Sequence, residues 1–587
     1  MRARIYQLPL RQFSNVGSPR RVNGSMAVNG VGRFADIGDR ALGTLREMGF
    51  THVWLMGVLR QATGTDWSVV GLPADPPDLL KGIAGSPYAV RDCFDVCPDY
   101  AIDPARRREE FRALVERIHR AGLRVWIDFV PNHVARSHHT VVRPDLEFGL
   151  ADDRSKFFAP DNHFFHLVGQ GPLRLPERGI GEGRRFQGES EQARVTGNNG
   201  VSAAPGVNDW FETVKLNYGW DFTQGPGAGQ AHPTREHPQR PIPSLWHRMD
   251  AVLAHWQEMG VDGFRCDMAH MIPMEFWTWA IARARARVPG TEFMAEAYAD
   301  DPARSVRGDV LAALVEAGFD LVYDHAAYGL VKGISEGPKW ANDLDGVLGD
   351  PQASRRVRYV ENHDEVRVAH PQQWGGAGAW AGLAAAVVLW GTGPGAALVY
   401  AGQEVGEPAL AVEGFGGGNG RTSLFDYGAI PELAKWVNGH AWDGGGLADG
   451  QRELRAAYGR LLGLMEHPFQ RSGRFVPLNP VNLWNAEFGR AEGEAASGHW
   501  LYAWARVSGD GALVWVVNLG RKIRRAVRVQ LSEEVRSAIR SRDLSRAVEE
   551  CWHGSPVAAD AVTADSLWLG DLEPFGIRVY TVRLKDR

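Results

Sequence analysis

Apolar, strand-like segments alternate with helical segments along most of this chain, and no other feature of the sequence constrains the fold as much. Seven apolar runs have the length of strands, at 52–58, 124–130, 261–268, 292–298, 319–325, 356–364 and 397–402. Helical periodicity lies between them, at 105–121, 275–287, 303–316 and 452–466. Strands that alternate with helices form βαβ units, so the pattern predicts a parallel sheet.

We expect this parallel sheet to close into a barrel. An eighth strand near 94–96 would complete a (β/α)8 TIM barrel of the α/β class. The alternative is an open, doubly wound sheet that binds a dinucleotide. Such a site needs a glycine-rich turn that follows a strand and opens a helix, whereas GTGPG at 391–395 precedes a strand. The barrel is therefore the better prediction.

Two further regions depart from the barrel pattern. Between Asp128 and Asp267 the chain is far longer than one βα unit and rich in Gly, Pro and polar residues, which predicts a loop-rich domain inserted after the third strand. Beyond about residue 470, four segments alternate with period two and predict a C-terminal antiparallel β-sandwich. The predicted domains are 1–133 and 226–469 for the barrel, 134–225 for the insert and 470–587 for the sandwich.

Charge and cysteine content narrow the functional classes. The formal net charge is −5, from 65 Lys+Arg against 70 Asp+Glu, so we expect neither a nucleic-acid nor an anionic-membrane partner. Four cysteines in 587 residues do not make a disulfide framework, and no signal peptide is visible, so a cytoplasmic location is expected. The apolar stretch at 380–402 is divided by GTGPG into pieces too short to cross ~30 Å of hydrocarbon. A buried helix, a turn and a buried strand are expected there.

Polar residues cluster where four of the predicted strands end. They are Asp128, Asn132 and His133, then Arg265 and Asp267, then Glu296, and then Asn362, His363 and Asp364. Catalytic groups of barrels come from the carboxyl ends of several strands. The set therefore predicts a catalytic site at that end of the barrel.

The two central carboxyl groups have different surroundings in the sequence. Arg265 and Asp267 share a strand face, so the guanidinium should lower the pKa of Asp267 and keep it ionised, as a nucleophile requires. Glu296 stands among apolar residues, which should favour its protonated form, as a proton donor requires. Two carboxyl groups with pKa values driven apart are the equipment of glycoside hydrolysis.

These segments carry a family resemblance. DFVPNH (128–133), GFRCD (263–267), the strand with Glu296 and ENHD (361–364) resemble, in order, the four signature segments of the α-amylase family, glycoside hydrolase family 13. VKLN (214–217) is similar to the family's fifth segment in its neopullulanase-like form. The resemblance covers nearly the whole chain, because the barrel, inserted domain and terminal sandwich also match the family architecture.

The resemblance implies a role for each matching residue. Asp267 would be the nucleophile, Glu296 the general acid/base and Asp364 the stabiliser of the transition state. Arg265 would orient Asp267. The other implied substrate-binding residues are His133 and His363 on sugar hydroxyls, Tyr88 stacked on the same sugar, and Asp128, His270, Lys215 and Asn217. Asn132 matches a calcium ligand of many members, so the resemblance leaves a structural calcium open, but one carboxamide does not define a site and a loop hydrogen bond is the alternative role. No cofactor is expected to be required.

The expected function is thus a retaining α-glycoside hydrolase acting on α-linked glucans or malto-oligosaccharides. A transglycosylase or isomerase on the same scaffold remains an alternative, because the covalent glycosyl-enzyme is common to all three. One departure bears on that choice: His270-Met271 stands where α-amylases commonly carry Lys-His, on the aglycone side. A non-catalytic, amylase-like binding module ranks below both, since every carboxylate of the set is present. Linkage specificity, endo or exo action and oligomeric state stay open.

Overall fold

Eight parallel strands close into a barrel in this computed structural model, which describes residues 2–17, 21–177, 180, 183, 185–411, 418–509, 511–539, 548–557, 561, 563 and 565–583. The strands are β1 (Arg4–Pro9), β2 (His52–Met56), β3 (Arg124–Phe129), β4 (Gly263–Cys266), β5 (Glu292–Ala295), β6 (Leu321–Tyr323), β7 (Arg356–Arg358) and β8 (Ala396–Tyr400). Each strand pairs with its neighbours in sequence, and β1 pairs with β8. The predicted (β/α)8 class is confirmed.

A helix follows each strand and covers the outside of the barrel. These helices are α1 (Asp39–Met48), α2 (Arg107–Arg120), α3 (Ser244–Glu258), α4 (Met274–Arg287), α5 (Val310–Glu316), α6 (His325–Glu336), α7 (Ala379–Thr392) and α8 (Asp449–Leu464). In α1 the buried residues are Ala41, Leu42, Leu45 and Met48, the spacing of a single apolar stripe. The strands are covered by helices outside and by the barrel core inside, so β1, β2 and β8 are buried at every residue.

The predicted eighth strand was placed wrongly. Val90–Val96 is a strand, but it pairs antiparallel with Leu59–Gln61 outside the barrel. The missing barrel strand is β1, which carries Arg4, Gln7 and Pro9 among its apolar residues. Arg4 and Gln7 interrupt the apolar run by which a buried strand is recognised. They are buried all the same, because distant parts of the chain, such as His363 for Gln7, provide their partners. The insert nevertheless follows the third strand, as expected.

One predicted helix is shorter than its periodicity indicated. The segment 303–316 becomes helical only at Val310, because Asp309 caps α5 by accepting hydrogen bonds from the backbone N–H groups of Leu311 and Ala312. Residues 303–309 therefore form the loop that leads into this helix.

The inserted segment leaves and rejoins the barrel through a two-stranded antiparallel ribbon. His133–Ala135 pairs with Thr213–Lys215, and the Cα partner of His133 is Lys215. A small apolar core that includes Phe165, Leu167 and Val195 packs inside the insert. Among the described residues between 136 and 212, the helical structure is limited to the 3-10 turn Pro144–Leu146, so the insert is loop-rich.

The C-terminal region consists of antiparallel sheets, as predicted. Its strands are β9 (Arg474–Pro477), β10 (Leu501–Ser508), β11 (Gly511–Asn518), β12 (Arg524–Gln530), β13 (Val548–Glu550), β14 (Ser566–Leu572) and β15 (Ile577–Arg583). One sheet has the order β9-β10-β11-β15-β13, and β12 pairs with β14 in the other. Val514 and Val516 of the first sheet share a core with Val527 and Leu567 of the second. The bounds of the four predicted domain segments stay predictions.

The apolar segment 380–402 lies inside the protein. It forms most of α7 and all of β8, and eleven consecutive residues of α7 from Gly382 to Thr392 are buried. Within the described parts of the chain, no helix combines the length and the apolar character needed to cross a membrane.

Candidate active site

Strand register alone brings the central polar residues together. Asp128 of β3 is the Cα partner of Arg265 in β4, and Cys266 of β4 is the partner of Ala295 in β5. Asp267 and Glu296 each come one residue later, so their backbones leave adjacent strands at the same level. Both therefore lie at the carboxyl end of the barrel, where barrel sites are built.

Arg265 is the charged centre of the site. Its Nη1 donates to Asp267 Oδ1 over 2.6 Å, and its Nη2 lies 2.9 Å from Glu296 Oε2 as an ion pair without the alignment of a hydrogen bond. The guanidinium is fully buried, and it lies 5.1 Å from the Trp54 ring centroid and 5.4 Å from that of Tyr88. One cation thus serves both carboxyl groups in surroundings where aromatic rings replace water.

The structure contradicts the expected pKa of Asp267. Burial raises the pKa of this carboxyl well above its usual range, the neighbouring Glu296 raises it further, and Arg265 only opposes these two effects. The sequence suggested the opposite direction because it showed the arginine but neither the burial nor the second carboxylate. A guanidinium shared between two acids offsets about one negative charge, so this pair retains a proton more readily than an isolated acid.

Glu296 is surrounded by hydrogen-bond donors, although its neighbours in sequence are apolar. Its Oε1 accepts from the Tyr298 hydroxyl over 3.0 Å, and its Oε2 accepts from the Met268 backbone N–H over 2.9 Å. Met268 has φ 45°, in the left-handed region, and this turn directs its N–H at the carboxyl group. The expected apolar environment is therefore wrong, and the carboxyl group is instead fixed in one orientation.

Asp128 contacts Gly57, Tyr88 and Arg265 at the site. Its Oδ2 accepts from the Gly57 backbone N–H over 3.0 Å, and its Oδ1 accepts from the Tyr88 hydroxyl over 3.3 Å. Its Oδ1 is 3.7 Å from Arg265 Nη1, and burial raises the pKa of Asp128 to about 6. Asp128 thus holds Tyr88 and Arg265, and it does not line the cleft.

Two neutral histidines face the cleft. Burial lowers the pKa of His133 and of His363 to about 3, so both imidazoles are uncharged at neutral pH. The ring of His363 stacks on Tyr88 with centroids 5.1 Å apart and planes at 17°. Its Nε2 lies 3.2 Å from Oδ2 of Asp364, whose side chain is 45% exposed toward the cleft.

These groups open into a cleft of about 330 Å³. Six residues predicted from the sequence line it: Tyr88, His133, Asp267, Glu296, His363 and Asp364. Ten other residues also line the cleft, and the sequence did not indicate them: Lys81, Ser86, Trp210, Glu212, Thr213, Met268, Tyr298, Asp301, Leu424 and Phe425. Tyr298 and Asp301 directly follow the Glu296 strand, and that position was the one available signal. Lys81 and Glu212 form a buried ion pair at 2.8 Å across two distant segments, and no local pattern indicates it.

Besides Asp128 and Arg265, three further predicted substrate-binding residues are absent from the lining of the cleft. His270 is fully buried, and its Nε2 lies 2.8 Å from Oδ2 of Asp301, so it supports the residue that does line the cleft. Asn217 donates to the Ala159 carbonyl over 2.8 Å inside the insert. Lys215 is buried as well, and burial lowers its pKa to about 7. The polar atoms of these three residues are engaged by other protein groups, and their contacts with substrate stay predictions.

The structure argues against the calcium role implied for Asn132. Its Oδ1, the atom that would bind a cation, accepts a hydrogen bond from Lys215 Nζ over 2.8 Å, and its Nδ2 donates to the Gly197 carbonyl over 2.8 Å. Across the described residues, no cluster of three or more His, Cys, Asp or Glu side chains has the arrangement of a metal site. The Asn132 oxygen that calcium would bind is therefore engaged by the amino group of Lys215.

Comparison with known proteins finds relatives that match parts of the sequence. No protein-family model matches the chain. The α-amylase MalA of Haloarcula japonica is 25% identical over 344 residues, which span 56% of this chain and 38% of that protein. The α-1,4-glucan:maltose-1-phosphate maltosyltransferase of Rhodospirillum rubrum is 31% identical over 131 residues, 22% of this chain and 17% of that enzyme. The matched parts therefore cover well under half of these curated relatives.

Whole-chain similarity comes from solved structures. The crystal structure of the α-amylase from Geobacillus thermoleovorans complexed with acarbose superposes with a TM-score of 0.59 at 18% identity, covering 100% of this chain and 99% of that one. Fold and site define a (β/α)8 barrel whose carboxylates gather at the strand ends. The chain is thus similar over part of its length to an α-amylase and a maltosyltransferase, and it shares its whole fold with α-amylases of known structure.

Proposed function

We propose that this protein is a retaining α-glycoside hydrolase that acts on α-linked glucans or malto-oligosaccharides. One observation carries the proposal: a single buried guanidinium, Arg265, contacts both Asp267 and Glu296 at the floor of an open cleft. Retaining enzymes need two carboxyl groups ~5–5.5 Å apart, and two acids on one guanidinium favour that short separation.

In the proposed reaction Glu296 gives its proton to the glycosidic oxygen while Asp267 attacks the anomeric carbon. The bond to the leaving sugar breaks, and a covalent glycosyl-enzyme forms. Glu296, now ionised, takes a proton from water, the water oxygen attacks the anomeric carbon, and Asp267 is released. Arg265 holds one oxygen of Asp267, which leaves the other for attack, and Asp364 stabilises the positive charge that develops on the sugar.

The walls of the cleft support a neutral sugar as substrate. Tyr88 offers an aromatic face beside the reacting carboxyl groups, and the uncharged His133 and His363 offer ring nitrogens to hydroxyl groups. The names of the relatives agree with α-glucan chemistry: one is an α-amylase and one an α-1,4-glucan maltosyltransferase. The cytoplasmic location stays a prediction.

The stereochemistry of the fresh product tests the proposal. Proton NMR during hydrolysis of malto-oligosaccharides should show the α-anomer first, with the β-anomer appearing only by later mutarotation. Early β-anomer would contradict the assignment of Asp267 as nucleophile. Pullulan, isomaltose and sucrose, run in parallel with maltoheptaose, would identify the linkage cleaved.

Transglycosylation is the second candidate, favoured by the match to a maltosyltransferase. The acceptor side nevertheless supports hydrolysis, because His270 is fully buried and its Nε2 is engaged by Asp301, which leaves Asp301 and not the imidazole at the cleft. Maltotriose at millimolar concentration should therefore yield shorter sugars. Early maltotetraose and longer products, with little rise in reducing ends, would favour the transferase. Sugar binding without any turnover would favour the non-catalytic module.

A further inference from the structure

Gln7, near the carboxyl end of β1, reaches the site from a strand that carries none of the signature segments. Its Nε2 lies 2.8 Å from Nδ1 of His363 and 3.1 Å from Sδ of Met56. Gln7 is 0% exposed and His363 3% exposed, so water does not compete for either contact. The two side chains form a closed pair behind the cleft.

The contacts fix the direction of the hydrogen bond. The Met56 sulfur has no proton and can only accept, so the Gln7 atom that faces both neighbours is the amide nitrogen. The amide therefore donates to Nδ1, which must be the unprotonated nitrogen of a neutral ring. The low pKa of His363 agrees with a neutral ring, since burial and the nearby Arg265 disfavour the imidazolium form. The ring proton is consequently on Nε2.

The placement of Nε2 gives this proton a function. It lies 3.2 Å from Oδ2 of Asp364, at the cleft, while Tyr88 stacks on the ring and Trp54 meets it edge-on with centroids 5.7 Å apart. Both rings restrict rotation, so Nε2 stays beside Asp364, close but without the alignment of a hydrogen bond, at the wall of the cleft that a sugar would enter. Gln7 Oε1 has no hydrogen-bond partner among the described residues, so the contacts of the amide are made by its nitrogen.

We propose that Gln7 is a positioning residue that holds His363 in its Nε2–H tautomer, so that His363 presents a hydrogen-bond donor to a sugar in the cleft. The partner of the second ring nitrogen sets the tautomer, as in other sites where histidine must present a defined face. The contact with sugar rests on the proposed function, whereas the tautomer does not.

Two substitutions separate this role from simple packing. Gln7→Met keeps the length of the side chain but removes the donor. Gln7→Glu replaces the donor with an acceptor, which should move the ring proton to Nδ1 and turn a lone pair toward the cleft. Gln403→Met is the matched control, because Gln403 is also a buried amide, 3% exposed, whose Nε2 donates to the Tyr458 hydroxyl over 3.1 Å away from the cleft.

The direct readout is the 15N spectrum of histidine-labelled protein, with the His363 signals assigned by their loss in His363→Asn. The unaltered protein should show a protonated Nε2 and a bare Nδ1, and Gln7→Glu should exchange the two signals. For Gln7→Met, kcat should fall about tenfold, the worth of one hydrogen bond, with KM changed less and Tm close to that of the Gln403→Met control.

A protonated Nδ1 in the unaltered protein would overturn the proposal, whatever the enzyme turns over. So would a Gln7→Met variant that keeps both its 15N pattern and its kcat. Because the spectrum needs no substrate, an inactive protein with the expected tautomer would count against the proposed function and leave the role of Gln7 standing.

Discussion

Lys215 Nζ donates a hydrogen bond to Oδ1 of Asn132 over 2.8 Å. Both side chains are buried where the inserted segment rejoins the barrel. Lys215 is the Cα partner of His133, which lines the cleft, and Asn132 Nδ2 lies 3.1 Å from Nδ1 of His133. The Lys215 amino group thus joins the insert to the residue that lines the cleft. It donates to the Asn132 oxygen that a metal ion would otherwise bind.

Removal of calcium should leave this protein unchanged. Treatment with a chelator should alter neither Tm nor the rate on maltoheptaose, because the Asn132 oxygen is already bound. Lys215→Asp should instead lose about 3–5 kcal/mol of unfolding free energy, since it buries an unpaired charge, and millimolar calcium should restore part of this loss by supplying a cation to oxygen ligands. Lys215→Met is the control and should not respond to calcium. A chelator-sensitive unaltered protein would refute the prediction.

Asp267→Asn should abolish turnover while preserving the fold. The expected loss is on the order of 10³-fold or more, as for other enzymes that lose a nucleophile acting within a unit. Tm should stay close to that of the unaltered protein, because the amide oxygen can still accept from Arg265. In the unaltered protein, a fluorinated glycosyl fluoride should add mass to the peptide that contains Asp267. Label on Asp128 instead would show that the nucleophile is assigned wrongly.

Glu296→Gln should affect substrates according to their leaving group. For unactivated glucans the rate should fall roughly 10²–10⁴-fold, the usual contribution of a positioned general acid. For glycosyl fluorides the loss should be much smaller, because fluoride departs without a proton. Tyr298→Phe, which removes one donor to Glu296 Oε1, should reduce the rate far less. Equal losses on both substrates for Glu296→Gln would exclude the acid role.

Stability should decline as the pH falls from about 6.5 toward 3, in part because of His363. Its pKa in the folded protein is about 3 against 6.5 in the unfolded chain, so the unfolded state binds more protons in this window. The contribution is fully present above pH 6.5 and is lost progressively as the pH approaches 3, by at most about 1.4 kcal/mol per pH unit. Urea unfolding of His363→Asn at pH 6.5 and 4.5 should show a shallower decline. Parallel slopes for the two proteins would contradict the prediction.

Much of the barrel and the carboxylate cluster could be predicted because the determinants are local. Asp128, Asp267 and Glu296 each stand at or just beyond the end of an apolar strand, and strand register then places them side by side. β1 was missed because Gln7 interrupts its apolar character. The partner of Gln7 is His363, 356 residues later in the chain. Local patterns do not contain such pairings.

The electrostatics of the site depend on tertiary structure even more strongly. The sequence placed Arg265 two residues from Asp267 but could not show that the same guanidinium also contacts Glu296, and this sharing contributes to the reversed pKa of Asp267. In the same way, VKLN suggested that Lys215 contacts the substrate, whereas burial directs its amino group to Asn132. Residue types in the sequence therefore indicated that Asp267 lies at the site, but they did not indicate the direction in which its pKa is shifted.

The ribbon formed by His133–Ala135 and Thr213–Lys215 holds the two ends of the inserted segment side by side, so the residues between them can be replaced as one unit. Its two ends are neighbouring strands, ~5 Å apart, so the barrel is connected to the excursion across a gap whose width does not depend on the number of residues beyond it. Each doubling of a flexible loop costs only about 0.6 kcal/mol of closure entropy. Evolution or a protein engineer can therefore exchange the segment between the two strands, and with it Trp210 and Glu212 of the cleft wall, while Asp267 and Glu296 keep their positions.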